Sequence, residues 1–421
     1  MILADDLPPT PDAPVTNFVT PPTSDAFLTQ PWATLFAGVA AIIAAAIAFW
    51  VAYLTRRQLE KHWQTSNRQE RFTTAATQLA DDNPAVRIAG VAALEALTND
   101  WIATPQHKHR HEKKHPDHLT TGLRHPQAQA CVNVLCAYLR LPETSRDDSS
   151  LTHETITRNH VDGSTREQTH HYKPDDREVR NTILRTITTH LHPEHTHPWT
   201  HLDYDFTAAH LHDADFTDCQ FHGATTSFDG AKFRGEKTSF HGSRFCGGAT
   251  SFYKTQFHGI YTTFYDAQFH GDVTSFTQAQ FRSEEATVFD HVQCYGEATS
   301  FYLAQFRSAM TSFDGAKFHS DEAIFIGAEF RGEKTSFLRA EFHCGHTEFH
   351  EARFYGRFTS FDGAEFRSAM TSFDGAEFRS AQVSFDAARF RGQRELIFGK
   401  AKFRQDQPSF DGAEFGVEDF G

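Results

Sequence analysis

The residues best suited to chemistry in this sequence are histidines, crowded into the stretch QHKHRHEKKHPDH at residues 106–118. Neutral imidazoles bind zinc and nickel well, so the stretch raises the hypothesis of a metal site. The candidate ligands are His107, His109, His111 and His115. However, no cysteine accompanies them, and Lys and Arg lie between them. This composition favours a solvated basic linker, and the sequence predicts no metal ion or other cofactor.

Pairs of carboxylates in the second half of the chain could act as a general acid and a general base. The word FDGAEF places Asp362 three residues before Glu365. The same pair recurs as Asp374 with Glu377 and as Asp411 with Glu414. An active site is singular, whereas these pairs repeat. Because motifs for phosphate loops, dinucleotide sites, zinc proteases and serine hydrolases are also missing, the sequence predicts no enzyme.

The spacing of phenylalanine shows which element must position these carboxylates. The chain has 41 Phe, and from Phe228 onwards they recur at alternating steps of five and seven residues. The residue two positions before each Phe is usually Ala or Thr. This pattern fits neither a helix nor a long alternating strand. It predicts a solenoid whose short sides each direct one large and one small side chain inward, with Gly and polar residues at the corners.

From Phe206 to Phe221 the step between large apolar residues is five throughout. The predicted inward residues are Phe206, Leu211, Phe216, Phe221, Phe228, Phe233, Phe240, Phe313, Phe318, Phe373 and Phe378. The stretch AAHLHDADFTDCQF at 208–221 strongly resembles the pentapeptide-repeat proteins. The resemblance implies a mainly β solenoid over 201–421, a right-handed quadrilateral β-helix with about twenty residues per turn. The seven-residue steps enlarge alternate corners, so we expect about twenty-four residues per turn.

The charge of the solenoid bears on one function that the resemblance implies. Some pentapeptide-repeat proteins imitate DNA and occupy DNA gyrase, so a DNA-mimicking regulator of a nucleic-acid enzyme is the alternative function. Residues 201–421 carry 32 Asp or Glu and 21 Lys or Arg, a net charge of −11. Spread over a rod of about 40 Å, this is far below the charge density of duplex DNA. The imitation is poor, and direct binding of nucleic acid is not expected.

An uncharged run of 23 residues at 32–54, WATLFAGVAAIIAAAIAFWVAYL, is long enough to cross a membrane as a helix. Arg56, Arg57 and Lys61 follow it, and no Lys or Arg precedes it. The excess of positive charge on one side predicts a single-pass protein of the cell membrane, with the N-terminus outside and the C-terminal β-helix cytoplasmic. The Pro- and Thr-rich residues 1–31 are predicted to be a disordered tail.

Between the membrane span and the solenoid, the sequence predicts helices and polar connections. Residues 55–142 read as a juxtamembrane helical region with a His-rich loop at 101–124, residues 143–175 as a disordered polar linker, and residues 176–200 as a helix capping the solenoid. The helices resemble HEAT-like repeats. The words ERFTTAATQL, VRIAGVAALEAL and VNVLCAYLR are similar to the juxtamembrane region of membrane-anchored bacterial pentapeptide-repeat proteins. This resemblance implies an architecture rather than an activity.

These features together predict a membrane-anchored cytoplasmic scaffold, a protein-interaction module without catalytic activity. Arginines that follow the five-step Phe would form one outward column, which is either a solvated face or a dedicated binding stripe. The candidate contact residues are Arg307, Arg331, Arg367, Arg379, Tyr253, Tyr265 and Tyr302. The protein partner is not defined by the sequence. An open β edge on the last turn predicts a homodimer through the C-terminal coil.

Overall fold

A computed structural model describes most of the chain beyond the predicted membrane span. The described residues are 67–104, 125–141, 153–159, 165–171, 176–391, 395–404 and 408–416. The predicted tail at 1–31 and the predicted span at 32–54 lie outside them. Among the residues that are described, none of the helices has both the length and the apolar character needed to cross a membrane.

Four helices precede the solenoid, in the described part of the chain. They are α1 at 67–79, α2 at Pro84–Ile102, α3 at Pro126–Leu139 and α4 at Asp176–His190. Helix α2 begins as its sequence predicts: the Asn83 side chain accepts a hydrogen bond from the Ala85 N–H (2.9 Å), and Pro84 occupies the first turn. The helices pack through buried apolar residues that include Leu94, Leu135 and Ile183.

A buried ionic cluster joins three of these helices. Arg87 of α2 lies 3.1 Å from Asp176 of α4 and donates a hydrogen bond to the hydroxyl of Tyr138 of α3 (2.7 Å). Tyr138 in turn donates to Asp176 (2.6 Å), and Arg180 pairs with the second oxygen of the same carboxylate. Burial, followed by the hydrogen bond to Asp176, raises the pKa of Tyr138 to about 12. Two buried guanidinium groups therefore share one carboxylate.

A β-hairpin lies between α3 and α4. The strands His153–Asn159 and Thr165–His171 are antiparallel, with His153 opposite His171. These strands differ from the disordered linker predicted over 143–175, whose remaining residues lie outside the described ones. That prediction relied on polar composition, whereas polar strands can pair through their backbones as long as the main-chain N–H and C=O groups find partners.

From residue 204 onwards the chain forms a β-solenoid of about nine turns, which confirms the solenoid prediction. In the described residues, the strands of each full turn join four parallel ladders, named here in chain order within a turn. Ladder 1 contains Tyr204–Asp205, Thr225–Ser227, Ala249–Ser251, Val273–Ser275, Ala298–Ser300, Glu322–Ile324, His346–Glu348, Met370–Ser372 and Glu395–Ile397. Ladder 2 contains His210–His212, Lys232–Arg234, the first halves of Gln256–Thr263 and Gln280–Val288, Gln305–Phe306, Glu329–Phe330, Arg353–Phe354, Glu377–Phe378 and Lys402–Phe403.

The other two ladders complete each turn. Ladder 3 contains Lys237–Ser239, the second halves of the two long strands, Met310–Ser312, Lys334–Ser336, Phe358–Ser360 and Gln382–Ser384. Ladder 4 contains Gln220–Phe221, Arg244–Phe245, Gln268–Phe269, Gln293–Cys294, Lys317–Phe318, Glu341–Phe342, Glu365–Phe366, Arg389–Phe390 and Glu414–Phe415. Paired residues lie 24 positions apart in most turns, as in Thr250 with Thr274. One turn therefore holds two copies of the twelve-residue unit.

The interior of the solenoid is filled by columns of stacked aromatic rings. All eleven residues predicted to point inward are buried, with exposures of 0–2%. Each ring stacks on the ring one turn away; Phe313, for example, lies between Phe289 and Phe337 with centroid distances of 4.8 Å to both. It also meets rings of the neighbouring columns edge-on, such as Phe301 at 5.5 Å. Offset and edge-on contacts of this kind stabilise aromatic pairs beyond their apolar burial.

Buried hydroxyl pairs explain why the position after many outward Arg or His residues is Ser. Ser283 and Ser308 are buried and lie 2.7 and 2.6 Å from the buried hydroxyls of Thr262 and Thr287 on the preceding turn. Where Gly replaces this Ser, the hydroxyls of Thr274, Thr311 and Thr335 lack a hydrogen-bond partner among the described residues. Ser at this position thus pairs the hydroxyls of Thr262 and Thr287, whereas Gly296, Gly332 and Gly356 leave these three hydroxyls without that partner.

The helices cover the first turn of the solenoid. Gln129 of α3 exchanges two hydrogen bonds with the backbone of Asp203 (2.7 and 2.8 Å). After α4, the carbonyl of Leu191 accepts from the N–H of Gln220, a residue of ladder 4 (2.9 Å). Trp199 is fully buried and donates to the side chain of Asn99 (2.8 Å). Backbone groups at this end of the sheet are thereby paired with the helical region.

Candidate protein-interaction surface

The predicted contact arginines lie on two different ladders. Arg307, Arg331 and Arg379 follow strands of ladder 2, whereas Arg367 follows a strand of ladder 4. Ladders 2 and 4 are separated by ladders 1 and 3 within each turn. The single arginine column expected from the twelve-residue unit is therefore two columns. The reason is that consecutive units contribute their Arg to alternate sides of a turn that contains two units.

Ladder 2 presents a basic face. The outward positions on and directly after its described strands carry nine cationic residues: Lys232, Arg234, Arg282, Arg307, Arg331, Arg353, Arg379, Lys402 and Arg404. The acidic residues at these positions are Glu329 and Glu377. Burial and then the charges of Arg282, Arg234 and Lys232 lower the pKa of His258, which lies among them. A positive potential thus extends across turns, although the solenoid as a whole is acidic.

The two glutamates of this basic face show how it holds a carboxylate. Arg331 and Arg353 each donate to one oxygen of Glu329, at 2.9 and 3.0 Å. Partial burial opposes ionisation of Glu329, but these hydrogen bonds outweigh it and lower its pKa. Glu377 pairs in the same way with Arg379 (2.7 Å) and Lys402 (3.5 Å). Arg307, in contrast, donates to the neutral side chain of Gln305 (3.1 Å).

The predicted contact tyrosines occupy two corners of the solenoid. Tyr253 and Tyr302 follow strands of ladder 1 and lie on the corner between ladders 1 and 2. Tyr265 lies on the corner between ladders 3 and 4. Their side chains are 37–41% exposed, although most large apolar residues of the solenoid are buried. Tyr253 and Tyr302 therefore border the basic face, and Tyr265 does not.

Sequence reasoning missed several residues of the basic face. Lys232, Arg353 and Lys402 precede the inward Phe instead of following it, so they are absent from the predicted column. The strand places residues on either side of an inward Phe on the same outer face. Reading the outward residues at a period of 24 would have found them.

The repeated Asp residues have structural roles. Asp229 accepts hydrogen bonds from the hydroxyl of Ser251 and from the N–H of Tyr253 (3.1 Å), both on the next turn. In the FDGAEF word, Asp362 accepts from the N–H of Asp386 (3.1 Å), whereas Glu365 accepts from Arg367 (2.9 Å). The two carboxylates thus serve separate partners, one along a corner and one on an outer face.

The metal hypothesis concerns residues that the structure does not describe. His107, His109, His111 and His115 fall within the undescribed stretch 105–124. Among the residues with described positions, no group of three or more His, Cys, Asp or Glu side chains is arranged to hold a metal ion.

The cysteines provide a chemical test of the inward positions. All six are free, and Cys246 is the exposed one. Burial raises the pKa of Cys294 to about 12 and also raises that of Cys219. We expect iodoacetamide at pH 8 to label Cys246 alone in the native chain and all six thiols in guanidinium, as counted by mass spectrometry. Because partial burial raises the pKa of Cys246 too, its labelling should be slower than that of a free thiol and should accelerate as the pH rises.

A Cys246→Ser variant is the control for this labelling, since it should lose the native-state adduct and keep five adducts after unfolding. Rapid native labelling of Cys219 or Cys294 would show that those positions are open to solvent and would contradict the inward assignment.

Comparisons with protein-family models, with curated proteins and with solved structures find no match for this chain. The fold type is therefore assigned from features of this chain alone. It is a β-solenoid of about nine turns with Phe recurring along the inward positions, and this fits the pentapeptide-repeat type of fold.

Proposed function

We propose that this chain is a membrane-anchored bacterial protein whose solenoid acts as a cytoplasmic scaffold for other proteins and performs no catalysis. In this proposal residues 32–54 cross the cell membrane once, with the N-terminus outside. The uncharged run and the Arg and Lys residues that follow it support the anchor and its orientation. The pentapeptide-repeat resemblance adds a right-handed, quadrilateral cross-section and HEAT-like helices to the proposal.

The observation that carries the scaffold role is the outer surface of the solenoid. Parallel ladders and stacked rings fix each turn against its neighbours, so the outward side chains form straight columns. Exposed arginines and tyrosines, which are enriched in protein interfaces, occur in these columns. The repeated carboxylates, which could in principle act as a general acid and a general base, instead accept structural hydrogen bonds and form ion pairs.

The alternative function, imitation of DNA, is less well supported. A DNA mimic needs a dense and continuous negative surface, whereas ladder 2 carries nine cationic and two acidic residues at its described outward positions. A homodimer through the C-terminal coil remains part of the proposal, supported by Phe415, which is 60% exposed on the last described strand. Light scattering at high protein concentration distinguishes the dimer from a monomer.

The proposed function can be tested in the native host by fractionation and proximity labelling of the full-length chain. We expect the chain in the membrane fraction and its release by deletion of residues 32–54. The labelled proteins should include a set that Tyr253→Ser/Tyr302→Ser depletes severalfold.

Leu338→Ser is the matched control, because Leu338 is 38% exposed on a different corner. A soluble full-length chain would overturn the anchor, and labelling that no surface variant changes would overturn the scaffold. Inhibition of gyrase supercoiling by the purified chain would favour the alternative instead.

A further inference from the structure

A shallow groove runs along the basic face of ladder 2, parallel to the solenoid axis. Its floor is formed by Gln256, Gln280 and Gln305, which occupy equivalent positions on three successive turns. Lys254 and Leu303 form the wall on the side of the corner that carries Tyr253 and Tyr302. The groove ends at Glu329 and Arg353. It therefore spans five turns, about 20 Å at the spacing of adjacent strands.

Beside the groove, Arg282 and Arg307 lie two residues after Gln280 and Gln305, on the same outward face of ladder 2. In the turns of Glu329 and Glu377, the outward Arg pairs with that carboxylate. In the two turns before Glu329, the corresponding positions are Gln280 and Gln305. Arg282 forms no ion pair with any residue that the structure describes, and Arg307 donates only to the neutral Gln305. Among the described residues, Arg282 and Arg307 thus lack the carboxylate partner that Glu329 gives to Arg331 and Glu377 gives to Arg379.

Acidic residues along one edge limit the shape of an anionic ligand. Glu236, Glu284, Glu285 and Glu333 are exposed on the corner between ladders 2 and 3. A broad anionic surface, such as a lipid bilayer or a DNA duplex, would bring its charges close to these carboxylates. A narrow chain lying along the groove would meet the arginines and avoid most of this repulsion. Single-stranded nucleic acid would need open rings on which its bases can stack, whereas Tyr355, the tyrosine on the described strands of this face, is covered by Arg331 and Arg379.

From this geometry we infer that the groove binds an extended acidic segment of a partner protein. Carboxylates of the segment pair with Arg282 and Arg307 as Glu329 pairs with Arg331 and Arg353 one turn further on. The amides of the three glutamines offer both donors and acceptors to the backbone of the segment. About six extended residues fill the length of the groove. The inference rests on the proposed scaffold function and names the chemistry of its partner.

The test introduces a carboxylate at each of the two Gln positions where the turns of Glu329 and Glu377 have one. In Gln280→Glu/Gln305→Glu each new carboxylate lies beside its own arginine, as in the native turns of Glu329 and Glu377. The variant should fold normally and occupy Arg282 and Arg307 internally. We expect the full-length chain to bind a fluorescein-labelled octapeptide of alternating Glu and Ser, measured by anisotropy at low ionic strength. The double variant should bind it about tenfold more weakly or worse, since two exposed ion pairs are lost and two repulsions are added.

The matched control is Gln268→Glu/Gln293→Glu, which makes the same substitutions on ladder 4 and changes the net charge equally. Its affinity for the peptide should change less than twofold. Equal weakening by both double variants, or no binding of the peptide by the native chain, would overturn the inference. Tighter binding of oligo(dT) or of anionic vesicles than of the peptide would also overturn it. Since partner labelling in the host is measured separately, failure of the peptide assay alone leaves the scaffold proposal standing.

Discussion

Phe313→Ala should lower the free energy of unfolding by about 3–5 kcal/mol. The ring is fully buried and stacks between Phe289 and Phe337 at 4.8 Å on either side. Its removal leaves a cavity that the rigid ladders cannot close, because the backbones of adjacent turns are held at a fixed spacing by their hydrogen bonds. Denaturant titration followed by circular dichroism measures the loss.

The chain supplies a matched control for this substitution. Phe358 points outward from ladder 3, is 37% exposed and makes a contact with the guanidinium of Arg357 (5.2 Å). Phe358→Ala should cost less than about 1 kcal/mol, because a surface side chain leaves no cavity. If the two variants lost equal stability, or if Phe313→Ala lost less than about 1 kcal/mol, the ring columns would not be the source of stability that the fold requires. Titrations with two probes should coincide if the turns unfold together.

Asp176→Asn should destabilise the helical region by about 3–5 kcal/mol. The carboxylate is the shared partner of Arg87 and Arg180, whose side chains are 0% and 4% exposed. A neutral amide offsets neither guanidinium charge, and these charges stay away from solvent after the substitution. Because α4 and the segment after it contact the first turn of the solenoid, we also expect the unfolding transition of that end to shift. Thermal unfolding and native-state hydrogen exchange measure both effects.

An exposed ion pair in the same region provides the control. Asp100 pairs with Arg71 at 2.9 Å, and both side chains are about half exposed (45% and 46%). Asp100→Asn should cost less than about 1 kcal/mol, since water already screens the pair. A similar small loss for Asp176→Asn would mean that the buried cluster tolerates an unbalanced charge, contrary to the expected cost of burying one.

The helices and the inward residues of the solenoid were predictable because their patterns are local. Asn83 followed by Pro84 marks the start of α2, because Asn is favoured at the N-cap of helices and Pro in their first turn. In each repeat an inward Ala or Thr, an outward residue and an inward Phe follow one another. This alternation over three residues is enough to assign the buried side of a short strand.

The buried ionic cluster could not have been predicted in the same way. Arg87, Tyr138 and Asp176 belong to three helices and are separated by 38 to 89 residues. Each one alone reads as an ordinary polar residue on a helix. Only the packing of the helices excludes water from all three, and this exclusion converts them from surface groups into a cluster whose parts depend on one another.

By itself, the sequence determined which side chains of the solenoid point inward and which point outward, because a strand turns successive residues to opposite faces. Only the tertiary structure decided which outward residues become neighbours. That depends on the length of a whole turn, which is the sum of its strands and of the segments that join them and has no local signature. Arg307 and Arg367 follow equivalent Phe residues in the sequence, yet they lie on ladders 2 and 4 because one turn closes after 24 residues instead of twelve. The basic face and its groove are products of that closure.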